Sequence, residues 1–600
     1  MAIRLEKRRK KRYIGEIRRS NMITTFGAGA LVDFPKFSGI MAGIDSWKIP
    51  LNAKELRISE RNLENLLGKE YFVQPTAPEA DNRYGGDDSF AIPAFRFPNM
   101  YYCPKCHMLD YYWKIFKRQK AQCIECNSVL IPSRFITSCI NGHIDDFPYT
   151  AWVHKGKTCE KPVLTLNYEG KTGGLDSIII GCEACKAKRS MEGSMSKDAL
   201  KGFKCYGKMP WLRDNRGKEI KDTQVCHAKI RTLQRSASNV YYSVNQSALT
   251  IPPWSNIIHE EIKKNEDAIE ICNNMEMPLR KEALKEIFKQ KIKKECKCSF
   301  EEFITEVEKV YSEEKEEINE KTLLINEYNA FCTEDKDDKH FKTSLESVSP
   351  ELENYISEVK LVKRLREVQV LLGFRRILPE YEEGTEGLFE KDYTPISKSP
   401  LSWLPAVELF GEGIFIKFNE ERLKEWERKY EVRYNAMKIR LNKRTIGKEM
   451  MSTRYVLLHT MAHLLIRQLS LQSGYSSASI KEKIYSTFDD IDISMAGILI
   501  YTAATDCDGS LGGLVREGKT NRFSNTIKGC LEEASWCSAD PLCIDSTAQG
   551  MDSLNYAACH ACVLLPETSC EARNCLLDRA AVVGTPDERD IGYFSSFMGR

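Results

Sequence analysis

Ten of the chain's 22 cysteines lie between Cys103 and Cys226, and their spacing limits what this region can become. Cys103-Pro-Lys-Cys106 and Cys123-Ile-Glu-Cys126 are C-x2-C pairs separated by sixteen residues. Two residues between thiolates let both sulfurs face one ion from a tight turn, and a second pair returning after a short hairpin completes a tetrahedron. These four predict a zinc ribbon in which each pair caps a β-hairpin. A second constellation follows in Cys182, Cys185, Cys205 and Cys226. Between the two sets, SCINGHIDDFPYTAWVHKGKTC offers Cys139, His143, His154 and Cys159. Their C-x3-H and H-x4-C spacings can surround a further ion, or the four can form a core histidine pair with two buried free thiols.

Six hundred residues are too many for one hydrophobic core, so about three to five domains are expected. With 42% hydrophobic and 29% charged residues the composition is that of an ordinary soluble protein. A net charge of +3 gives no global attraction to nucleic acid or membrane, so any such contact must come from local patches. Eight more cysteines lie between Cys507 and Cys575, and four in between. The opening MAIRLEKRRKKRYIGEIRR lacks the apolar run of a signal peptide. No stretch approaches the roughly 18 apolar residues of a membrane-spanning helix. The expected compartment is therefore the reducing cytoplasm, where paired cysteines read as ligands for two or more zinc ions rather than as disulfides.

The chain reads as an α+β multidomain protein in four parts. These are an N-terminal region with a basic arm (1–98), the cysteine-rich zinc-binding region (99–253), a charged helical region (254–399) and a C-terminal α/β zinc-binding domain (400–600). The arm carries Arg8, Arg9, Lys10, Lys11 and Arg12, which can neutralise phosphates in a salt-dependent manner or simply form a solvated tail. Gly27 and Gly29, between apolar runs, predict a tight turn where backbone passes close to something. Within the ribbon, YYWKIFKRQK sets Tyr112 and Trp113 beside Lys117 and Arg118. Aromatics beside cations suit a single strand of nucleic acid, and a small ribbon also needs aromatics for its core.

In the middle region, runs such as EEFITEVEKVYSEEKEEINEK have the apolar spacing of amphipathic helices. Cys296-Lys-Cys298 is too isolated to define a site. Further on, NEERLKEWERKYEVRYNAMKIRLNKR predicts a charged helix and RYVLLHTMAHLLIRQLSLQSG an apolar one. In the latter His459 and His463 share a face, as the ligands of zinc proteases do. Thr460 stands where the general-base glutamate would be, so these read as packing histidines. After a predicted strand, MAGILIYTAA, come Cys537, Cys543, Cys559, Cys562 and Cys570, enough for another zinc site with one thiol to spare. GLVREGKT (513–520) fits the phosphate-loop pattern letter for letter. A flexible loop rather than a strand precedes it, however, and NRFSNTIKG is a poor helix start, so the match reads as chance; the alternative is an NTPase in which Lys519 carries nucleotide binding. The pairs Asp145-Asp146 and Asp489-Asp490 lack the neighbouring ligands a nuclease needs. No catalytic residue is assigned, and neither a small-molecule substrate nor a membrane is expected.

Several segments taken together resemble one family. RRSNMITTFGAGALVDFP, SCINGHIDDFPYTAWVH, KCYGKMPWL, RTLQRSASNVYYS and the last two hundred residues are similar to the DrmB components of DISARM antiphage defence systems. The final part, from LLHTMAHLLIRQLS to CHACVLLPETSCEARNCLLDR, looks like the MZB zinc-binding domain at the end of Mrf-type DNA-repair helicases, in which four cysteines hold zinc. The resemblance implies a non-catalytic partner of DrmA, a helicase-like ATPase, in a pair that engages DNA carrying an unpaired strand. It also implies zinc ligands among Cys537, Cys543, Cys559, Cys562 and Cys570, five candidates for four positions.

Overall fold

The computed structural model describes residues 14–34, 37–49, 56–77, 90–117, 120–155, 158–169, 173–214, 216–252, 257–296, 298–311, 318–378, 393–441, 452–487, 493–504, 512–550, 553–566 and 568–598. The basic arm from Arg8 to Arg12, Arg118 and the Asp489-Asp490 pair lie outside them. The chain divides into two compact, discontinuous units. One comprises Met1–Ile58, Lys69–Gln246 and Gln369–Val407, the other Ser59–Gly68, Ser247–Val368 and Glu408–Arg600. Helices and small sheets occur throughout, as an α+β chain requires.

The first unit is built from short antiparallel pieces. Strands Leu31–Phe34, Phe37–Met41 and Ala94–Arg96 form one sheet, with Ile40 opposite both Leu31 and Phe95. Met100–Tyr102 runs between Leu109–Tyr111 and Ile131–Pro132, and Phe135–Ser138 between Ile144–Asp146 and Arg231–Gln234. Ile178–Cys182 lies between Leu164–Tyr168 and Lys188–Ser190. The ribbon's own core is small: Tyr101, Cys103, Ile115, Cys123 and Leu130. A neighbouring cluster gathers Phe135, Phe147, Tyr149, Trp152, Leu166 and Ile180. The Gly27–Gly29 turn is a close approach, as its small residues predict. A Cβ on Gly27 would lie 2.5 Å from the Tyr241 hydroxyl and 2.6 Å from Leu371.

Arg376 organises this unit from within. It is 1% exposed and donates to the carbonyls of Gly142 (2.9 Å), Gly29 (2.7 Å) and Val240, while its guanidinium lies 4.5 Å from the Phe374 ring centroid. Burial lowers its pKa to about 9. Arg376→Leu would leave three carbonyls without a donor, at about 1–3 kcal/mol each when they stay buried. A loss of about 3 kcal/mol or more is expected in denaturant unfolding of the full chain.

The second unit centres on a sheet in which Phe341–Glu346, Ile356–Arg375, Trp403–Phe418, Ala496–Thr502 and Ile480–Ser486 are successive neighbours. The first half of Ile356–Arg375 and the second half of Trp403–Phe418 belong to this unit. The predicted apolar helix runs over Thr453–Ser473. Ser452 caps it by accepting from the Tyr455 N–H, and Gly474 ends it in the left-handed region at φ 79°. Apolar over most of its surface, it is buried from Arg454 to Ile466 among Leu457, Leu465, Ile498 and Ile500. The predicted charged helix spans Glu420–Leu441 and buries Leu423, Trp426, Tyr430, Tyr434, Met437 and Leu441 as one stripe. Helices between Ile257 and Tyr311 close on an apolar cluster that includes Ile262, Ile269, Phe288 and Phe303.

The helical reading of the middle region does not extend past Cys332. Ile356–Arg375 is a strand of twenty residues despite its mixed charge. Its Ile356, Val359, Val362, Val368 and Val370 are buried, and β-branched residues covered by a sheet outweigh a charge pattern that would also suit a helix. Among the described residues no helix is long and apolar enough to cross a membrane.

Candidate metal centres

Three C-x2-C turns in the first unit share one construction. In each, the residue after the second cysteine takes a left-handed backbone: His107 at φ 63°, Asn127 at 58° and Lys186 at 60°. Its N–H donates to the carbonyl of the first cysteine at 2.9, 3.0 and 2.8 Å, in that order. The first cysteine's own N–H donates to the carbonyl of Met108, Ser128 or Ala187. The tight turn leaves both sulfurs on one side with backbone N–H groups near them. Burial pushes the Cys103 thiol up, but the N–H groups of Cys106 and Lys105 outweigh it and hold the group at about 7. At Cys182 burial is opposed in the same way by the N–H groups of Cys185, Val163 and Ala184, giving about 6. A thiol near neutrality supplies the thiolate that binds metal.

Cys103, Cys106, Cys123 and Cys126 converge as the spacing predicts, with Cys103–Cys126 at 3.4 Å and Cys106–Cys123 at 3.5 Å between sulfurs. Sulfurs about 2.3 Å from a shared zinc in a tetrahedron stand roughly 3.8 Å apart, so the set needs little adjustment to hold one.

The second constellation is corrected. Cys182, Cys185, Cys205 and Cys226 do not meet; they divide between two clusters, each completed from the Ser138–Cys159 segment. One holds Cys139, His143, Cys205 and Cys226, the other His154, Cys159, Cys182 and Cys185. Cys139 lies 3.9 Å from Cys226 and 3.7 Å from Cys205, with His143 Nδ1 3.5 Å from both Cys139 and Cys205. In the other, Cys159 and Cys182 are 3.7 Å apart, and His154 Nε2 is 3.4 Å from Cys159 and 3.2 Å from Cys185. Each histidine's remaining nitrogen is engaged, His143 Nε2 with Asp222 at 3.2 Å and His154 Nδ1 with the Thr150 carbonyl at 2.7 Å. A second acceptor of this kind selects the tautomer whose lone pair faces a metal. The hydrogen bond with Cys139, joined by His143 and opposed by burial, brings Cys205 to about 4. Asp222 carried no signal in the sequence, because its role appears only once the histidine is placed.

In the second unit Cys537, Cys543, Cys559 and Cys562 form a fourth cluster, with sulfur separations of 3.5 Å (537–559), 3.7 Å (543–562) and 3.6 Å (559–562). That leaves Cys570 as the spare thiol, and it does not stand alone. It lies with His459, His463 and Glu482, all four buried. The two histidines therefore face a carboxylate and a thiol inside the core. Thr460 between them donates its hydroxyl to the Val456 carbonyl and accepts from the Asp578 N–H, bracing the helix. Glu482, in the unremarkable strand IKEKIYS, could not have been singled out.

GLVREGKT folds as helix Gly513–Glu517, a turn, and helix Thr520–Ala534. The expectation of a poor helix start there fails, because Phe523, Ile527, Cys530 and Leu531 make an apolar stripe that is buried. The donors a phosphate would need are held by carboxylates. The N–H of Leu514 donates to Glu412 at 2.8 Å, and the Thr520 N–H and hydroxyl donate to Glu346 at 3.1 and 2.7 Å. Gly518 is small because a Cβ would come within 2.5 Å of Leu361. Asp146 likewise has a structural task, accepting from the N–H groups of Asn99 and Met100.

Of the predicted nucleic-acid residues, Tyr112 packs into the ribbon core and Lys117 donates to Asn127 at 2.6 Å. Trp113 is 58% exposed and stacks on Tyr111, with ring centroids 4.5 Å apart and planes 9° from parallel.

Residues 18–242 match a domain family of unknown function, DUF8724, and residues 461–563 match the MrfA Zn-binding domain, MZB. A solved structure of the DUF1998 helicase MrfA bound to DNA aligns over 36% of this chain and 23% of its own length, at 15% identity and a TM-score of 0.18. The chain therefore spans less than a quarter of that helicase. A DISARM protein DrmB of Bacillus paralicheniformis is 33% identical over 572 residues, 91% of this chain and 97% of the relative. Identity sustained over nearly the whole of both sequences means that this chain belongs to the DrmB family of DISARM proteins.

Proposed function

We propose that this chain is a non-catalytic, zinc-binding subunit of an antiphage defence complex, acting in the cytoplasm with a DrmA-like helicase ATPase and helping it engage DNA with unpaired strands. The carrying observation is the 33% identity with a DISARM DrmB protein, sustained over 91% of this chain. The ligands we assign are the four clusters: Cys103, Cys106, Cys123 and Cys126; Cys139, His143, Cys205 and Cys226; His154, Cys159, Cys182 and Cys185; and Cys537, Cys543, Cys559 and Cys562. Four protein donors per ion leave no position for a substrate, so zinc here stiffens loop-rich modules. The occupied donors around GLVREGKT favour a subunit that relies on its partner for nucleotide chemistry.

The DNA contact we assign is the stacked Tyr111–Trp113 pair on the ribbon, with exposed Lys105 and Lys114 on the same module. A flat aromatic face takes any base, so binding follows strand geometry and salt more than sequence. The test is strand binding by the complex reconstituted with its helicase. Trp113→Ala should weaken single-strand affinity about tenfold, in line with roughly 1–3 kcal/mol per stacked base, with duplex affinity unchanged. If neither this variant nor low-salt crosslinking reveals a contact between this chain and DNA, the chain is a protein-only scaffold.

A further inference from the structure

We propose that His459, His463, Glu482 and Cys570 form a fifth metal site, which takes a divalent transition-metal ion of the zinc type and is separate from the four-cysteine centre of the same unit. One ligand atom from each lies within 4.8 Å of the other three. His459 Nε2 is 3.1 Å from Cys570 Sγ and 3.0 Å from Glu482 Oε1, and His463 Nε2 is 3.4 Å from the same oxygen. The side chains of both histidines and of Glu482 are 0% exposed.

Burial on that scale demands a counter-charge. Apart from the two imidazole nitrogens beside Oε1, the oxygens of Glu482 have no hydrogen-bond partner among the described residues, and His459 Nδ1 and His463 Nε2 are buried without a well-aligned one. A buried carboxylate left in that condition costs several kcal/mol or takes up a proton. The neighbouring lysines do not supply the charge. Strand alternation turns Lys481 and Lys483 to the opposite face, where they pair with Glu367 at 2.8 Å and Glu327 at 2.6 Å. A cation among the four donors answers the need directly.

The donor set also specifies the ion. His463 Nδ1 is 3.0 Å from the Val563 carbonyl, which selects the tautomer whose Nε2 lone pair faces inward, as metal-bound histidines require. Two imidazoles, a thiolate and a carboxylate suit zinc and its neighbours, whereas magnesium and calcium prefer oxygen alone. With four protein donors the centre is closed, and its work is mechanical. It ties the middle of helix Thr453–Ser473 to strand Ile480–Ser486 and to the segment carrying Cys570. Val563 directly follows Cys562, a ligand of the four-cysteine centre, so one peptide step joins the two sites.

The inference is independent of the DNA-engaging role, and each can fail without the other. The test is native mass spectrometry with elemental analysis on the full chain purified without chelator. The unaltered chain should carry five ions, one for each cluster. Cys570→Ala should carry four, and so should His463→Gln, a milder change included in case the first does not fold. Four ions in the unaltered chain would overturn the proposal and assign these residues to a hydrogen-bonded His–Glu–His network. Five ions retained in either variant would overturn it equally.

Discussion

Removing zinc from the full chain with a strong chelator at neutral pH should unfold the ribbon, residues 100–132, while the central sheet of the second unit stays folded. The difference lies in the cores. The ribbon closes around five buried residues, two of which are the ligands Cys103 and Cys123. A structural zinc stabilises a small module by about 10–16 kcal/mol, more than the three non-ligand side chains Tyr101, Ile115 and Leu130 supply at roughly 1.5–3 kcal/mol each. The second unit instead buries the helix Thr453–Ser473 against the strands that carry Ile414, Ile498 and Ile500. Hydrogen exchange and limited proteolysis would report the result. Protection over 100–132 that survives complete metal removal would contradict it.

A second large effect concerns which thiols share an ion. Cys182→Ser and Cys205→Ser should each lose one zinc equivalent, and the double variant should lose two, because the two residues belong to separate clusters. Had all four of Cys182, Cys185, Cys205 and Cys226 held one ion, the double variant would lose no more than either single. The folding consequences should separate as well. Cys182→Ser is expected to loosen the sheet around Ile178–Cys182, whose Cys182 lies opposite Leu164. Cys205→Ser is expected to loosen the turn at Gly142, where Arg376 donates to the carbonyl. Metal content and hydrogen exchange on the three variants distinguish the two pairings.

The ribbon was legible because its information is local. Two residues between cysteines, with a left-handed residue after the second, make the same turn wherever they occur, and the hairpin returns the second pair within sixteen residues. The apolar helix with His459 and His463 was legible for a similar reason, since its long apolar run marks its burial. Where charge patterns were used the reading was weaker. Ile356–Arg375 carries enough lysine, arginine and glutamate to pass for an amphipathic helix, and burial in a sheet decided otherwise.

From its own residues the sequence determined the cysteine donors, the C-x2-C turns and, through segments kept in order, the family. Tertiary structure decided which donors meet. Cys139 and Cys226 are 87 positions apart and end 3.9 Å from each other, because strands from distant parts of the chain carry them together. The same holds for Glu482 beside His459, and for Glu412 and Glu346 at the ends of GLVREGKT. Spacing encodes the contacts that a single turn or helix can make. Contacts between separate elements depend on how sheets and helices bury their apolar faces, which is a property of the whole chain.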